Sequence, residues 1–466
     1  MTQLTPTPSY SLALHLQLAN QPGNLAAVIG AIAEQGGNVG QIDLIAQDRH
    51  RSIRAMVVDA ASQDHAEQII GAIKATPGVE LLAANDRTFA MHQGGKIEIY
   101  STISLKEQSS LAMAYTPGVG RISKAIAEQP ESVFDLTIKG NMVAIVSDGS
   151  AILGLGNLGP EAAMPVMEGK ALLLKEFAEV DAFPICLATQ DADEIVKTVK
   201  YLAPVFGGIN LEDISAPRCF EIERRLRQEL DIPVFHDDQH GTAIVTLAAL
   251  LNALKVVEKA IDEVKIVFNG AGAAGIAVAK LLRLAGAKTL WMCDSQGIIS
   301  TQRDTLTPEK REFAVAAQGT LADAVQDADV FVGLSVPGVL TPEMVGTMRD
   351  RPVVFAMANP IPEIQPELVQ GQVAVMATGR SDYANQINNV LAFPGIFRGA
   401  LDCRAKEITQ QMCLKAAEAI ATLVDPQNLS AEQIIPSVFD DRVAPAVVAL
   451  AAEVDLPGEQ RRRFAV

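Results

Sequence analysis

The five cysteines of this 466-residue chain (Cys186, Cys219, Cys293, Cys403, Cys413) are odd in number and nowhere form CxxC. That argues against a disulfide framework or a structural zinc site and for a reducing, cytoplasmic setting. Positive charge is also short. The 38 Lys and Arg against 55 Asp and Glu leave a net charge of −17, which speaks against a nucleic-acid surface. The opening MTQLTPTPSY lacks the basic start and apolar core of a signal peptide. No uncharged apolar run approaches the roughly 20 residues that span a bilayer, so no membrane partner is expected. The 34 Gly and 24 Pro are dispersed, leaving no low-complexity tract. What is present is apolar residue, 49% of the chain, enough to build about two to four domains.

Alternating Leu12, Leu14, Leu16 and Leu18 predict a half-buried strand. A turn and an amphipathic helix follow in QPGNLAAVIGAIAEQGG, then strands in IDLIAQ and IRAMVVDA, a helix in DHAEQIIGAIKATPG and a strand in VELLAA. The pattern is βαββαβ, a ferredoxin-like unit over 1–88. With its PGNLAAV turn it resembles an ACT domain, which implies a regulatory module for a small effector; a purely structural or dimerising module is the plainer alternative. After a connector, helices and strands alternate over 96–241. Over 242–399 very apolar strands (VKIVFNG, TLWMCD, ADVFVGLS, PVVFAMANP, VAVMATG) alternate with helices, which implies a parallel sheet covered on both faces. The segment 400–466 reads as helical and ends in the basic RRRF, taken as a solvated tail.

VKIVFNG runs into GAGAAG (Gly270, Gly272, Gly275) and then a helix. That is the context in which GxGxxG binds a dinucleotide: a tight turn, close backbone approach to a pyrophosphate, and a helix N-terminus facing the anion. Asp294 ends the next strand, 19 residues after Gly275, at the place of an acceptor for a ribose 2′-hydroxyl. SQG follows Asp294 with no adjacent Lys or Arg. This favours NAD and leaves NADP open.

The stretch FHDDQHGT (235–242) lies between the strand-like IPV and a helix-like apolar run. His236 and His240 are spaced as zinc ligands would be on a helix, yet no third soft ligand is near. Glu212 and Asp213, at a strand end in GGINLEDISAP, add oxygens instead. With Asp238 they suit Mg²⁺ or Mn²⁺ better than zinc; a solvated acidic rim is the alternative. Tyr115 precedes a Pro-Gly turn in AYTPGV, and Lys170 is placed at the beginning of an apolar helix. A lysine desolvated beside a metal has a lowered pKa and can act as a base. Each alone is better explained by a capped Tyr or a snorkelling Lys; in combination they look like a reaction centre.

YTPGV, SDGSAILGLGNLGPEAAMPVMEGKA, NLEDI, FHDDQHGTA, GAGAAG, MANP and NQINNVLAFPG, in that order, make the sequence similar to the malic enzyme family over about residues 88–400. The resemblance implies a malic enzyme N-terminal α/β domain, a Rossmann-type NAD(P)-binding domain and C-terminal helices. It also implies metal-dependent oxidative decarboxylation of L-malate to pyruvate and CO₂. By it, Glu212, Asp213 and Asp238 hold the Mg²⁺ or Mn²⁺, Lys170 is the general base, Tyr115 the general acid, and Asp237 couples to Lys170. Asn359 and Asn389 bind substrate, with Asn388 adjacent. The cofactor set is Gly270, Gly272, Ala273, Ala274, Gly275, Asp294, Thr242 and Asn359. A homodimer or higher homo-oligomer is expected. One departure stands out: where larger members of the family carry an arginine before ILGLG, this chain has Ala151, so another cation must face the dianionic substrate. The rival readings are a malolactic enzyme, which forms lactate, and a non-catalytic ligand sensor.

Overall fold

The computed structural model describes residues 5–453 and divides into two compact units, Met1–Glu98 and Ile99–Val466. In the first, strands β1 (Thr7–Ala19), β2 (Asn38–Gln47), β3 (Arg51–Ala60) and β4 (Val79–Asp86) form one sheet in the order β2-β3-β1-β4. All its pairings are antiparallel. Helices Asn24–Glu34 and Gln63–Ala75 make the two crossovers. The alternation of β1 has a direct cause: Leu12, Leu14, Leu16 and Leu18 all point into a core shared with Val28, Ile32, Ile69 and Ile73 of the helices. Ser62 caps the second helix by accepting from His65 N.

The second unit carries two parallel sheets. Strands β5 (Met142–Ser147), β6 (Asp181–Cys186), β7 (Gly208–Leu211) and β8 (Val234–His236) are ordered β6-β5-β7-β8. Strands β9 (Lys265–Asn269), β10 (Thr289–Asp294), β11 (Gly297–Ile298), β12 (Val330–Gly333), β13 (Val353–Ala356) and β14 (Val375–Thr378) are ordered β11-β10-β9-β12-β13-β14. Only β11 runs antiparallel to its neighbour. β9, β12 and β13 are almost wholly buried, as strands covered on both faces must be.

Helix Asp237–Val257 follows β8 directly, and most of its residues are buried. It has the length and apolarity of a bilayer span, with 72% of its most apolar window inside the protein. The apolar-run count missed it because Asp237, Asp238 and the polar residues of the first turn belong to the helix. Asn252, buried within it, gives its amide to Ala421 O and Ile434 O at 2.8 and 3.0 Å. Helices Phe393–Asp402, Gln410–Thr422 and Val443–Glu453 complete the unit; the RRRF run lies outside the described residues.

Candidate active site

The FHDDQHGT stretch is no loop. Its phenylalanine and first histidine end β8, and Asp237 and Asp238 form the first turn of the long helix. Carboxylates are favoured there by the free N–H groups and the helix dipole. The two aspartates then diverge. Asp237 is wholly buried and forms an ion pair with Lys170 Nζ. Its Oδ2 also accepts from Asn389 Nδ2. Asp238 turns the other way, towards the end of β7, where its Oδ2 accepts from Asp213 N at 2.9 Å.

Glu212 and Asp213 follow β7 and are buried. With Asp238 they offer three carboxylate oxygens lying within 4.8 Å of one another. Asp213 adopts a left-handed backbone, φ 53°, a conformation uncommon for any residue but glycine. Its Oδ1 accepts from Leu153 N at 3.4 Å, while Oδ2 is buried without a partner. Burial and the Asp238 charge push the Asp213 carboxyl up to about 7; burial also pushes Glu212 well up, though Lys170 opposes it. Three hard oxygen donors, one unsatisfied, with their negative charge mutually disfavoured, fit a divalent cation.

Neither histidine belongs to the carboxylate cluster, although His236 borders it. His240 Nε2 pairs with Glu223 Oε1 at 2.6 Å, and the fully buried His236 has Nδ1 3.7 Å from Asp238 Oδ2.

Lys170 lies mid-way along helix Pro160–Ala178, not at its beginning; the helix starts earlier because Pro160 occupies its first turn. Its Nζ is 3.1 Å from Glu212 Oε1 and 4.4 Å from the centre of the Phe393 ring. Burial alone would lower its pKa, as expected from the sequence. The charges of Asp237, Glu212 and Asp238 outweigh it and raise the pKa instead.

The other expected residues are less uniform. Tyr115 caps helix Gln108–Ala114 ahead of a cis Thr116–Pro117 bond. Its side chain is 68% exposed and, among the described residues, makes no hydrogen bond to the Lys170 cluster. Asn359 is exposed before a cis Pro360. Asn388 spends its Oδ1 on Val390 N at 3.0 Å, capping the short helix Asn389–Leu391. Thr242 is half-buried on the Asp237–Val257 helix, with no side-chain hydrogen bond to the cluster among the described residues.

At the GAGAAG turn, helix Ala273–Leu284 starts with Gly272 as its N-cap. A Cβ on Gly275 would stand 1.9 Å from Gly270 O, so this turn requires glycine. A cleft of about 910 Å³, lined among others by Gly270, Gly272, Asp294, Lys310 and Ser335, opens beside it. Ala273 and Ala274 contribute the first turn of the helix.

The absence of a cation at Asp294 does not hold in the structure. Its Oδ1 accepts from Arg303 Nη1 at 2.8 Å and its Oδ2 from Lys310 Nζ at 2.7 Å. Burial would raise the Asp294 carboxyl, but these two donors and Gln296 N hold it below the ordinary value. Neither cation adjoins Asp294 in sequence, because the segment after β11 carries both back to the strand end, Arg303 on its loop and Lys310 on the short helix Pro308–Arg311. Reading SQG alone could not have found them. Nor does sequence spacing reveal Phe393 over Lys170, or Arg218, whose Nη2 lies 3.1 Å from the buried Asp148 Oδ2.

Two family models match the chain: "Malic enzyme, N-terminal domain" over residues 94–227 and "Malic enzyme, NAD binding domain" over 239–455. The NAD-dependent malic enzyme of Geobacillus stearothermophilus is 54% identical over 442 residues, 94% of this chain and 92% of that protein. The chain belongs to the malic enzyme family. Two further malic enzymes bear on it. The bifunctional malic/malolactic enzyme of Bacillus subtilis is 56% identical over 366 residues, covering 77% of this chain and 89% of its own. The crystal structure of the NAD-dependent malic enzyme of Thermotoga maritima shares 46% identity at a TM-score of 0.76, covering 79% of this chain and all of that one. As a malic enzyme the chain is an oxidoreductase with a dinucleotide-binding domain.

Proposed function

We propose that this malic enzyme converts L-malate to pyruvate and CO₂ with reduction of NAD or NADP. The observation that carries the reading is the joining of Lys170 to Asp237 and Glu212 beside the Glu212–Asp213–Asp238 cluster. Glu212, Asp213 and Asp238 would hold Mg²⁺ or Mn²⁺. Bound there, the cation would supply Lewis acidity and would offset the carboxylate field that retains the Lys170 proton. Lys170 Nζ is placed to take the proton of the malate hydroxyl. Asp237 fixes the ammonium that results, and Asn389 orients Asp237. Asn359 serves the substrate side. The Tyr115 hydroxyl gives the proton that carbon needs after CO₂ departs. Ala151 leaves the second substrate cation to another residue.

The exposure of Tyr115 belongs to a wider pattern. Ile99, Tyr100, Ile103, Leu111 and Met113 on the same stretch are all exposed. We infer a homodimer in which this apolar arm packs on a second copy of the chain and carries Tyr115 to its site. The first unit is read as an ACT-like effector module. The five unpaired cysteines suit a cytoplasmic enzyme.

Lys310 and Arg303 give the cofactor cleft a means of holding a 2′-phosphate, while Asp294 can accept from a ribose hydroxyl. We therefore read the enzyme as using both cofactors. The test is incubation with L-malate and Mn²⁺, with NAD and NADP in separate reactions, and identification of the three-carbon product. Pyruvate stoichiometric with reduced cofactor is expected. Lactate without net reduced cofactor would instead establish the malolactic reaction named for the Bacillus subtilis relative.

A further inference from the structure

Glu363 is a glutamate with no exposed surface, and among the described residues no Lys, Arg or His forms an ion pair with it. A buried carboxylate without a cation is costly unless its oxygens are well satisfied. Here they are satisfied mainly by backbone, with the Ser335 hydroxyl adding a weak donor to Oε1 at 3.5 Å. Oε1 accepts from Ser335 N at 2.9 Å and Oε2 from Ala358 N at 3.0 Å. These two amides belong to different segments. Ser335 lies just past β12 and Ala358 just past β13, two strands that pair in parallel. A single carboxylate thus ties together the C-terminal ends of neighbouring strands, the edge along which an open α/β sheet binds its dinucleotide.

Both tied segments lead into the site. Ser335, Val336 and Val339 line the cofactor cleft. Ser335 Oγ also accepts from Asn269 Nδ2 at 2.7 Å, one residue before Gly270. Ala358 precedes Asn359, the proposed substrate ligand. The chain accommodates the carboxylate by having glycine at 333, where a Cβ would stand 2.4 Å from Glu363 Cδ.

We propose that Glu363 is a positioning residue of the malic enzyme reaction, whose carboxylate holds the Ser335 and Ala358 segments in register so that nicotinamide and substrate meet at hydride-transfer distance. This deepens the functional reading above and rests on it. Burial raises the Glu363 carboxyl, against the backbone donors and the Ser335 hydroxyl, 3.5 Å from Oε1, which favour the charged form. Glutamine has the same size but one acceptor. Its NH₂ would face an amide N–H, so one of the two segments is released. Aspartate keeps the charge but is one methylene shorter and cannot span both donors.

The experiment compares full-length wild type, Glu363→Gln and Glu363→Asp in thermal melting, emission of bound NADH, kcat, and the primary deuterium isotope effect with 2-deuterated malate. For both variants we expect a modest fall in melting temperature, from the amide left unpaired, and NADH affinity close to native, since Asp294 keeps its Arg303 and Lys310 partners. Bound-NADH emission should be altered, kcat lowered about tenfold to a hundredfold, and the isotope effect raised as hydride transfer becomes slower. Folded variants with wild-type kcat, isotope effect and NADH emission would overturn the proposal. So would a loss of activity that follows lowered melting with the isotope effect and emission unchanged, which marks a purely structural role. Failure of the wild type to oxidise malate would refute the functional reading instead; the NADH emission of the variants would still report on the Ser335 segment. Should glutamine not fold, the aspartate variant carries the same comparison.

Discussion

On the proposed use of both cofactors, replacing Lys310 by alanine should leave an enzyme that strongly prefers NAD. In the free protein Lys310 Nζ sits 2.7 Å from Asp294 Oδ2, with its side chain 28% exposed. A 2′-phosphate entering there gains a charge-assisted hydrogen bond, worth roughly 1.5–3 kcal/mol. Partial exposure and competition from Asp294 place the effect at the lower end, about 1.5–2 kcal/mol. That corresponds to about a 10–30-fold fall in kcat/KM for NADP. With NAD there is no phosphate to lose, and Asp294, still paired with Arg303, becomes freer to accept from a ribose hydroxyl. Its kcat/KM should stay within about threefold. The assay is initial-rate kinetics at saturating malate and Mn²⁺ with each cofactor, at fixed ionic strength. Equal losses with both cofactors would show that Lys310 only supports the fold of the cleft, and an unchanged NADP value would refute the reasoning.

Three other outcomes are expected. Tyr115→Phe and Lys170→Ala should each be inactive alone, yet when co-expressed should recover about a quarter of wild-type activity. Half the dimers are then mixed, each with one intact site; no recovery would place both residues in one protomer. The Asp294 carboxyl is held below its ordinary value of 3.8 in the folded protein, so its ion pairs stabilise the protein above about that pH and are lost as pH falls through the lower folded value. The melting-temperature gap between wild type and Asp294→Asn should therefore be widest near neutral pH and close in acid; a gap independent of pH would contradict the assignment. Deleting residues 1–88 should preserve turnover and abolish any effector response, and unchanged regulation would reject an ACT-like role.

Local pattern revealed the fold in this chain because each unit repeats a simple rule. Alternating leucines in β1 and near-continuous apolar strands β9, β12 and β13 each signal one kind of sheet, and the glycine turn marks where the cofactor cleft begins. The Lys170, Asp237 and Asp238 group was legible as a family resemblance. Its electrostatics were not, because the rise in the Lys170 pKa depends on carboxylates 42 to 68 residues away in sequence. Asp294 shows the same limit more sharply. Its strand-end position could be read directly, whereas its partners arrive by a loop whose return path no spacing rule describes. Tyr115 marks a further boundary, since its motif is plain but one chain leaves its ring in solvent. Glu363 offered no motif at all, as its main partners are backbone amides.

The most direct test of the account is a crystal of the full chain grown with Mn²⁺ and examined by anomalous diffraction. One strong peak is expected at roughly 2 Å from a carboxylate oxygen of each of Glu212, Asp213 and Asp238, with Lys170 outside the coordination sphere and the peak lost in Asp238→Asn. A peak on His236 or His240, or none at saturating Mn²⁺, would contradict it.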